Sequence, residues 1–133
     1  MIALIDTNVL VRFLTAAPET QYKNLLNFFK ELEHGNIHIE LKLIVLFQTL
    51  FVLQSFYKVE KESIAEALLA LIEFKGITIR DKKIVKKMLS FWVENNLEIV
   101  DCYLIACLEG DKQNILYSYD KDFDKFKIAR KEP

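Results

Sequence analysis

The chain has 133 residues, 52% of them hydrophobic, and carries a formal net charge of −1 at pH 7. This length suits a single domain, residues 1–133, with a core large enough to be stable without disulfide or metal staples. The near-zero charge excludes attraction of the whole molecule to nucleic acid, so any polyanion must bind to a local patch.

The sequence predicts a protein that works in the cytoplasm and does not enter a membrane. The most apolar stretch, residues 41–56, contains polar side chains and falls short of the roughly 18 uncharged apolar residues expected of a spanning helix. Cys102 and Cys107 are five positions apart on one predicted helix and point about 140° apart, so they cannot pair with each other. Two such cysteines are typical of a reducing compartment.

Hydrophobic patterning predicts strands that alternate with helices. The apolar run at residues 2–5, which Asp6 follows, suits a strand covered on both faces. Further strands are expected at residues 37–41, 77–79 and 114–119, with a short edge strand at 127–130. Apolar residues at helical spacing predict helices at 9–14, 18–34, 42–57, 61–74, 82–94 and 102–108. This alternation indicates an α/β fold with a parallel sheet and right-handed crossovers.

Three helices carry more specific expectations. Gly35 is expected to end the second helix in a left-handed conformation. The helix at residues 42–57 is apolar nearly all round and is predicted to be the most buried one. Asp81 is expected to cap the basic amphipathic helix that follows it, which exposes its lysines.

Three aspartates share one context in this predicted fold. Asp6 and Asp120 each follow a strand, and Asp101 opens a helix inside an apolar run. Strand ends and helix starts of this kind gather at one edge of a parallel sheet, where open α/β folds bind ligands. Carboxylates brought together there repel one another unless a cation lies between them. Oxygen ligands without histidine or cysteine favour Mg²⁺ or Mn²⁺ over zinc.

Each aspartate also has an ordinary structural explanation. Asp6 and Asp101 could cap the helices that follow them, and Asp120 could be a turn residue. Taken singly, each of these explanations is the stronger one. The coincidence of three acids at matching positions favours a metal site.

Three short blocks of sequence resemble a known family. They are residues 5–10 (IDTNVL), 100–106 (VDCYLIA) and 117–123 (YSYDKDF). In order and spacing they resemble the signature blocks of PIN domains, and most of all those of the VapC-type toxins of bacterial and archaeal toxin–antitoxin pairs. The resemblance extends over essentially the whole chain.

The resemblance implies a three-layer α/β/α sandwich with a central parallel sheet, and a divalent-metal-dependent endoribonuclease that hydrolyses RNA phosphodiester bonds. It also implies a homodimer and a small antitoxin protein as a partner. Asp6, Asp101 and Asp120 match the catalytic acids that bind the metal, and Asn8 and Ser118 match polar positions that support the site.

One position departs from the family pattern. PIN domains usually carry a glutamate on the helix after the second strand, and Gln48 occupies that place here. An amide keeps the shape and one acceptor but loses the charge, so weaker divalent binding is expected; Glu40 is a conceivable substitute. Either Gln48 still supports the site or it only satisfies a buried hydrogen bond. The alternative function is therefore a PIN-fold RNA- or protein-binding module with an impaired site.

Weaker candidates surround these acids. Asp122 and Asp124 are possible further metal ligands. Basic residues that could hold the RNA backbone are Arg12, Lys121, Lys125, Lys127, Arg130 and Lys131. An ordinary solvated tail explains those that follow Asp120 at least as well. Aromatic residues at helical spacing that are interpreted as core or dimer contacts are Phe47, Phe51 and Phe56.

Overall fold

The computed structural model describes residues 1–15, 23–111 and 113–133. It divides into two compact units, Met1–Arg80 and Asp81–Pro133, each with its own helices and a pair of parallel strands. The predicted start of the second helix at Pro18 lies outside the described residues.

The described residues of the first unit, 1–15 and 23–80, form four helices and two strands in the predicted order. They are α1 (Thr7–Thr15), α2 (Lys23–His34), β1 (Ile39–Glu40), α3 (Leu43–Ser55), α4 (Lys61–Leu71) and β2 (Ile77–Thr78). The two strands pair in parallel, with Ile39 opposite Ile77 and Glu40 opposite Thr78. The parallel pairing confirms the prediction made from the alternation of strands and helices.

The predicted first strand is reduced to a single bridge. Leu4 pairs in parallel with Glu40, whose N–H donates to the carbonyl of Ala3 over 2.8 Å. Ile5 is buried, but Leu4 is 57% exposed and Ile2 is exposed too. The prediction of a strand covered on both faces is therefore wrong, because alternate side chains lie on opposite faces and only the Ile5 face is covered.

Two glycines fix the connection between α2 and the strands. Gly35 has a φ of +82°, a left-handed conformation that ends α2 as predicted. A Cβ on Gly76 would meet the carbonyl oxygens of Ile37 and Leu32, so only glycine fits there. The Gly76 N–H donates to that Leu32 carbonyl over 2.7 Å, which ties the start of β2 to the end of α2.

Helix α3 is buried on one face only. Leu46, Leu50 and Leu53 lie in the core, whereas Ile44 is 78% exposed and Phe56, which follows the helix, is 75% exposed. The prediction that this helix is the most buried one is therefore wrong. An apolar residue on a helix can meet the core or a second molecule, and the apolar pattern does not separate the two.

In the part of the second unit that the structure describes, there are two long helices, a short one and two strands. They are α5 (Lys82–Glu94), α6 (Ile99–Leu108), β3 (Ile115–Tyr117), the 3₁₀ helix η1 (Lys121–Lys125) and β4 (Ala129–Lys131). Helix α5 packs along α6 and buries its predicted apolar face. Strands β3 and β4 pair in parallel with Leu116 opposite Arg130, so the predicted edge strand is present, one or two residues later in the chain.

Asp81 does not cap α5 through its side chain. Its backbone is left-handed, with a φ of 58° and a ψ of 43°, and its side chain makes no capping hydrogen bond. The prediction that it is a cap is wrong, because a cap needs extended backbone to aim its carboxylate at the first free N–H groups.

The α/β fold class predicted from the sequence is confirmed by the helices and parallel strands of both units. Among the described residues, no helix is long and apolar enough to cross a bilayer. Neither cysteine forms a disulfide.

Candidate functional site

Asp6 lies exposed between Ile5 and the first turn of α1. The N–H of Val9 donates to the Asp6 Oδ1 atom over 3.0 Å, so Asp6 caps this helix. The capping explanation is therefore correct for Asp6. It leaves room for a second role, because a carboxylate offers about four lone-pair sites and the cap uses one.

Gln48 forms a hydrogen bond with Thr7, the residue that follows Asp6. The hydroxyl of Thr7 donates to the Gln48 Oε1 atom over 2.7 Å, which joins α3 to the first residue of α1. Gln48 is exposed, so the reading in which it satisfies a buried hydrogen bond is wrong. A carboxylate at this position could accept the same hydrogen bond, since only the carbonyl oxygen of the amide is used.

The other candidate residues of the first unit, Asn8, Arg12 and Glu40, form pairs with residues close to them in sequence. The Arg12 Nε atom donates to the Asn8 Oδ1 atom over 3.3 Å, one helical turn away. Both side chains are exposed, so the Arg12 guanidinium stays in contact with water. Glu40 forms an ion pair with Lys42. Glu40 as a substitute ligand would have to give up this pair.

Asp101 lies within the first turn of α6 and is half-buried. The helix begins at Ile99, and the capping position belongs to Glu98, whose side chain makes no capping hydrogen bond. The explanation of Asp101 as a cap is therefore wrong. A carboxylate in the first turn is favoured by the helix dipole even without a capping bond.

The pKa of Asp101 is raised above its ordinary value. Burial is the largest cause, and the negative charges of Asp120 and Glu98 add to it. Asp101 and Asp120 therefore lie within electrostatic reach of each other. A cation between them would remove both costs, since it offsets lost hydration and like-charge repulsion together.

Asp120 sits in a tightly bonded turn between β3 and η1. Its N–H donates to the Ser118 Oγ atom over 3.0 Å, and its own Oδ1 atom accepts the Asp122 N–H over 2.9 Å. Asp120 thus caps η1, so the explanation as a turn residue is correct. Ser118 thus bonds to the backbone of Asp120, and its part in supporting a site stays a prediction.

The two weaker metal candidates differ in their surroundings. Asp122 is exposed and lies 4.0 Å from the Lys125 Nζ atom. Asp124 receives two donors from Arg130, from Nε to Oδ1 over 2.8 Å and from Nη2 to Oδ2 over 3.1 Å. This guanidinium holds the pKa of Asp124 below its usual range. A cation would have to displace Arg130 to bind both oxygens of Asp124.

Sequence reasoning missed the role of Arg130. It grouped this residue with the basic residues that could hold RNA, whereas its side chain is 11% exposed and bonded within the turn. Asp124 and Arg130 are six residues apart, a spacing that no helix or strand pattern singles out. The sequence feature that could have indicated this pair is the presence of Asp124 shortly after Asp120, together with Arg130, the one arginine that follows Asp120.

The donors present suit a hard divalent cation. Asp101 and Asp120 offer carboxylate oxygens, the ligands that Mg²⁺ and Mn²⁺ prefer. Among the described residues, no group of three or more histidine, cysteine, aspartate or glutamate side chains could by itself hold a metal ion.

A sequence model of the PIN domain family matches residues 3–129. The chain belongs to the PIN domain family. None of the curated proteins matches it. The PIN fold is a nuclease-type fold that generally uses divalent metals and binds RNA or DNA. The finer prediction of a VapC-type member stays a prediction. The matched residues of the PIN domain include Asp6, Asp101 and Asp120.

Proposed function

We propose that this PIN domain is a Mg²⁺- or Mn²⁺-dependent endoribonuclease and that Asp6, Asp101 and Asp120 hold the catalytic cation. Residues 1–133 act as a single domain in this proposal. The observation that supports it most directly is the environment of Asp101. This carboxylate is half-buried, and its pKa is raised by burial and by the negative charge of Asp120. The family match adds the reaction type, because PIN domains are generally nucleases.

The residues divide the work in a simple way. A divalent cation held by Asp6, Asp101 and Asp120 would supply Lewis-acid chemistry for the hydrolysis of a phosphodiester. The three carboxylates position the cation and do not attack phosphorus themselves. Ser118 orients Asp120 through the bond to its N–H, and Gln48 holds Thr7 beside Asp6. Asn8 lies in the first turn of α1 and bonds to Arg12 one turn further along, and Arg12 contacts the RNA backbone in this proposal.

RNA cleavage should require the cation. We expect the purified protein to cut a mixed-sequence RNA in the presence of Mn²⁺ and to stop when EDTA is added. Excess Mn²⁺ should then restore the activity, which excludes inactivation of the protein by the chelator. The measurement is the rate at which full-length RNA disappears on a denaturing gel. Cleavage that continues in EDTA would contradict a metal mechanism.

We further propose that the protein is the toxin of a toxin–antitoxin pair in the cytoplasm. The support is the resemblance of the three sequence blocks to VapC-type toxins. Induced expression should arrest bacterial growth, and Asp101→Asn should relieve the arrest at the same protein level. Growth arrest by both forms alike would contradict a toxin that acts by cleaving RNA. A small antitoxin protein is the partner that this role implies.

The homodimer is proposed to form through the exposed apolar face of α3. This face borders a groove of about 580 Å³, and none of its side chains is charged. Residues that line the groove are Ile44, Phe47, Gln48, Phe51, Val52, Ser55 and Phe56. An uncharged helix face of this kind can pair with a second copy of itself about a two-fold axis.

A charge placed on this face should separate the dimer. Phe51→Lys should convert the dimer into a monomer at micromolar concentration, because a buried lysine without a partner is costly. Gln54→Lys is the matched control, since Gln54 is exposed on the same helix and does not line the groove. Sedimentation velocity measures both. A wild-type chain that is monomeric at high concentration would exclude this contact.

A further inference from the structure

We propose that Arg130 is a positioning residue, which holds the segment 118–124 so that Asp120 faces the cation. The inference rests on the proposed metal site and assigns to Arg130 no contact with RNA or metal. It adds a residue on which the site depends at a position outside the three signature blocks.

The guanidinium of Arg130 forms a bidentate pair, called the fork below, with the carboxylate of Asp124. Its Nε and Nη2 atoms donate to the two carboxylate oxygens over 2.8 and 3.1 Å. Bidentate, charge-assisted pairs of this kind are among the strongest side-chain hydrogen bonds, and they fix direction as well as distance. The fork therefore holds the end of η1, where Asp124 lies, against β4.

The same guanidinium also holds the other end of the segment. Its Nη1 atom donates to the backbone carbonyl of Ser118 over 2.9 Å. Arg130 can reach this carbonyl because Leu116 lies opposite Arg130 in the parallel β3–β4 pair. One side chain thus bonds to residues on both sides of Asp120, two positions before it and four positions after it.

Between the two ends that Arg130 holds, Asp120 makes hydrogen bonds of its own to residues on both sides. Its N–H donates to Ser118 and its Oδ1 atom accepts from Asp122. Phe123 is buried and anchors the middle of η1 in the core. The hydrogen bonds of Arg130 to Ser118 and Asp124 fix the backbone on both sides of Asp120. The direction of the Asp120 carboxylate follows from that backbone.

Burial separates Arg130 from the other basic residues nearby. Its side chain is 11% exposed, whereas that of Lys125 is 76% exposed. A guanidinium whose donors bond to Asp124 and Ser118 has little to offer a phosphate unless it leaves both. Positioning explains these contacts, and an RNA contact does not.

Calorimetry with Mn²⁺ and no RNA tests this role. We expect Arg130→Gln to weaken Mn²⁺ binding about tenfold, the lower end of the effect of losing an outer-shell partner of a metal ligand. Arg130→Lys should recover only part of the affinity, because an ammonium cannot form the fork. Lys87→Gln removes the same charge from an exposed position in the same unit and should leave the affinity unchanged. Far-UV circular dichroism and melting confirm that each variant is folded.

Cleavage kinetics separate positioning from an RNA contact. A positioning residue should lower kcat at saturating Mn²⁺ and leave the KM for RNA within about twofold, because uniform substrate binding is untouched. A raised KM with unchanged Mn²⁺ affinity would overturn the inference in favour of direct RNA binding. A lower melting temperature with unchanged Mn²⁺ affinity would also overturn it, since Arg130 would then be merely structural.

A second variant keeps the test decisive if Arg130→Gln does not fold. Asp124→Ala removes the other half of the fork from an exposed position, and it should weaken Mn²⁺ binding in the same direction. Combined with Arg130→Gln, it should add little, because Arg130→Gln has already removed the partner of Asp124. Additive losses would mean that Asp124 is itself a metal ligand, which would overturn its assignment as the partner of a positioning residue. An unchanged Mn²⁺ affinity in Asp124→Ala would overturn the positioning role of Arg130 as well. Wild-type protein that binds no Mn²⁺ would instead overturn the proposed function, and the inference with it.

Discussion

Asp101→Asn should abolish Mn²⁺-dependent RNA cleavage, with a loss of at least about a hundredfold in rate. Loss of an outer-shell partner already costs about 10- to 100-fold in affinity or activity, so the loss of a direct ligand should cost more. An amide keeps the shape of the side chain but has no charge to attract a cation. Initial rates on a labelled RNA, at saturating Mn²⁺, measure the effect.

The same substitution should stabilise the protein without metal. The folded-state pKa of Asp101 lies above its ordinary value of 3.8, so the ionised form destabilises the fold at every pH above that raised pKa. Below 3.8 the carboxyl is protonated in both states, and this cost disappears. Melting at neutral pH in EDTA should therefore occur at a higher temperature for Asp101→Asn than for the wild type.

A matched control separates the loss of a ligand from the loss of a charge. Glu94→Gln removes one negative charge at the exposed end of α5 and should change neither the cleavage rate nor the melting temperature noticeably. An Asp101→Asn protein that cleaves RNA at the wild-type rate would remove Asp101 from the site.

Gln48→Glu should raise Mn²⁺ affinity about tenfold and increase the cleavage rate at low Mn²⁺. A tenfold change corresponds to about 1.4 kcal/mol, close to the roughly 1 kcal/mol between two unit charges 4 Å apart in water. The Thr7 hydroxyl can donate to a carboxylate as it does to the amide, so the local structure should be retained. Calorimetry and the Mn²⁺ dependence of cleavage measure the two effects.

Gln54→Glu is the control for this gain. It adds the same charge to an exposed position of α3 without contact to Thr7, so the Mn²⁺ affinity should stay at the wild-type value. If Gln48→Glu also leaves affinity and rate unchanged, Gln48 does not belong to the site. If the wild type is inactive and Gln48→Glu restores cleavage, the natural chain is the RNA- or protein-binding module that the sequence offered as the alternative.

Helix positions were predictable because they depend on local sequence. Apolar spacing places α4 and α5 close to their observed bounds, and the Gly35 signal places the C-terminal end of α2. The strands were predictable in order and direction, since alternation with helices requires parallel pairing. Burial was less predictable, because it depends on what packs against each face. Ile2, Leu4 and Ile44 are apolar and exposed for that reason.

The sequence proposes the candidate acids from their positions, but their hydrogen bonds could not be predicted from it. Strand and helix boundaries identify Asp101 and Asp120, and the raised pKa of Asp101 supports their proximity. The hydrogen bond between Thr7 and Gln48 spans 41 residues, and the paired hydrogen bonds between Arg130 and Asp124 join β4 to η1. Tertiary packing sets such contacts, and no local spacing encodes them.

The central proposal is that Asp6, Asp101 and Asp120 hold one divalent cation together. Calorimetric titration of Mn²⁺ into wild type, Asp6→Asn and Asp120→Asn tests it most directly. We expect a Mn²⁺ site in the wild type that is lost from both variants while their folds are intact. Wild-type affinity in either variant, or no binding by the wild type, would contradict the claim.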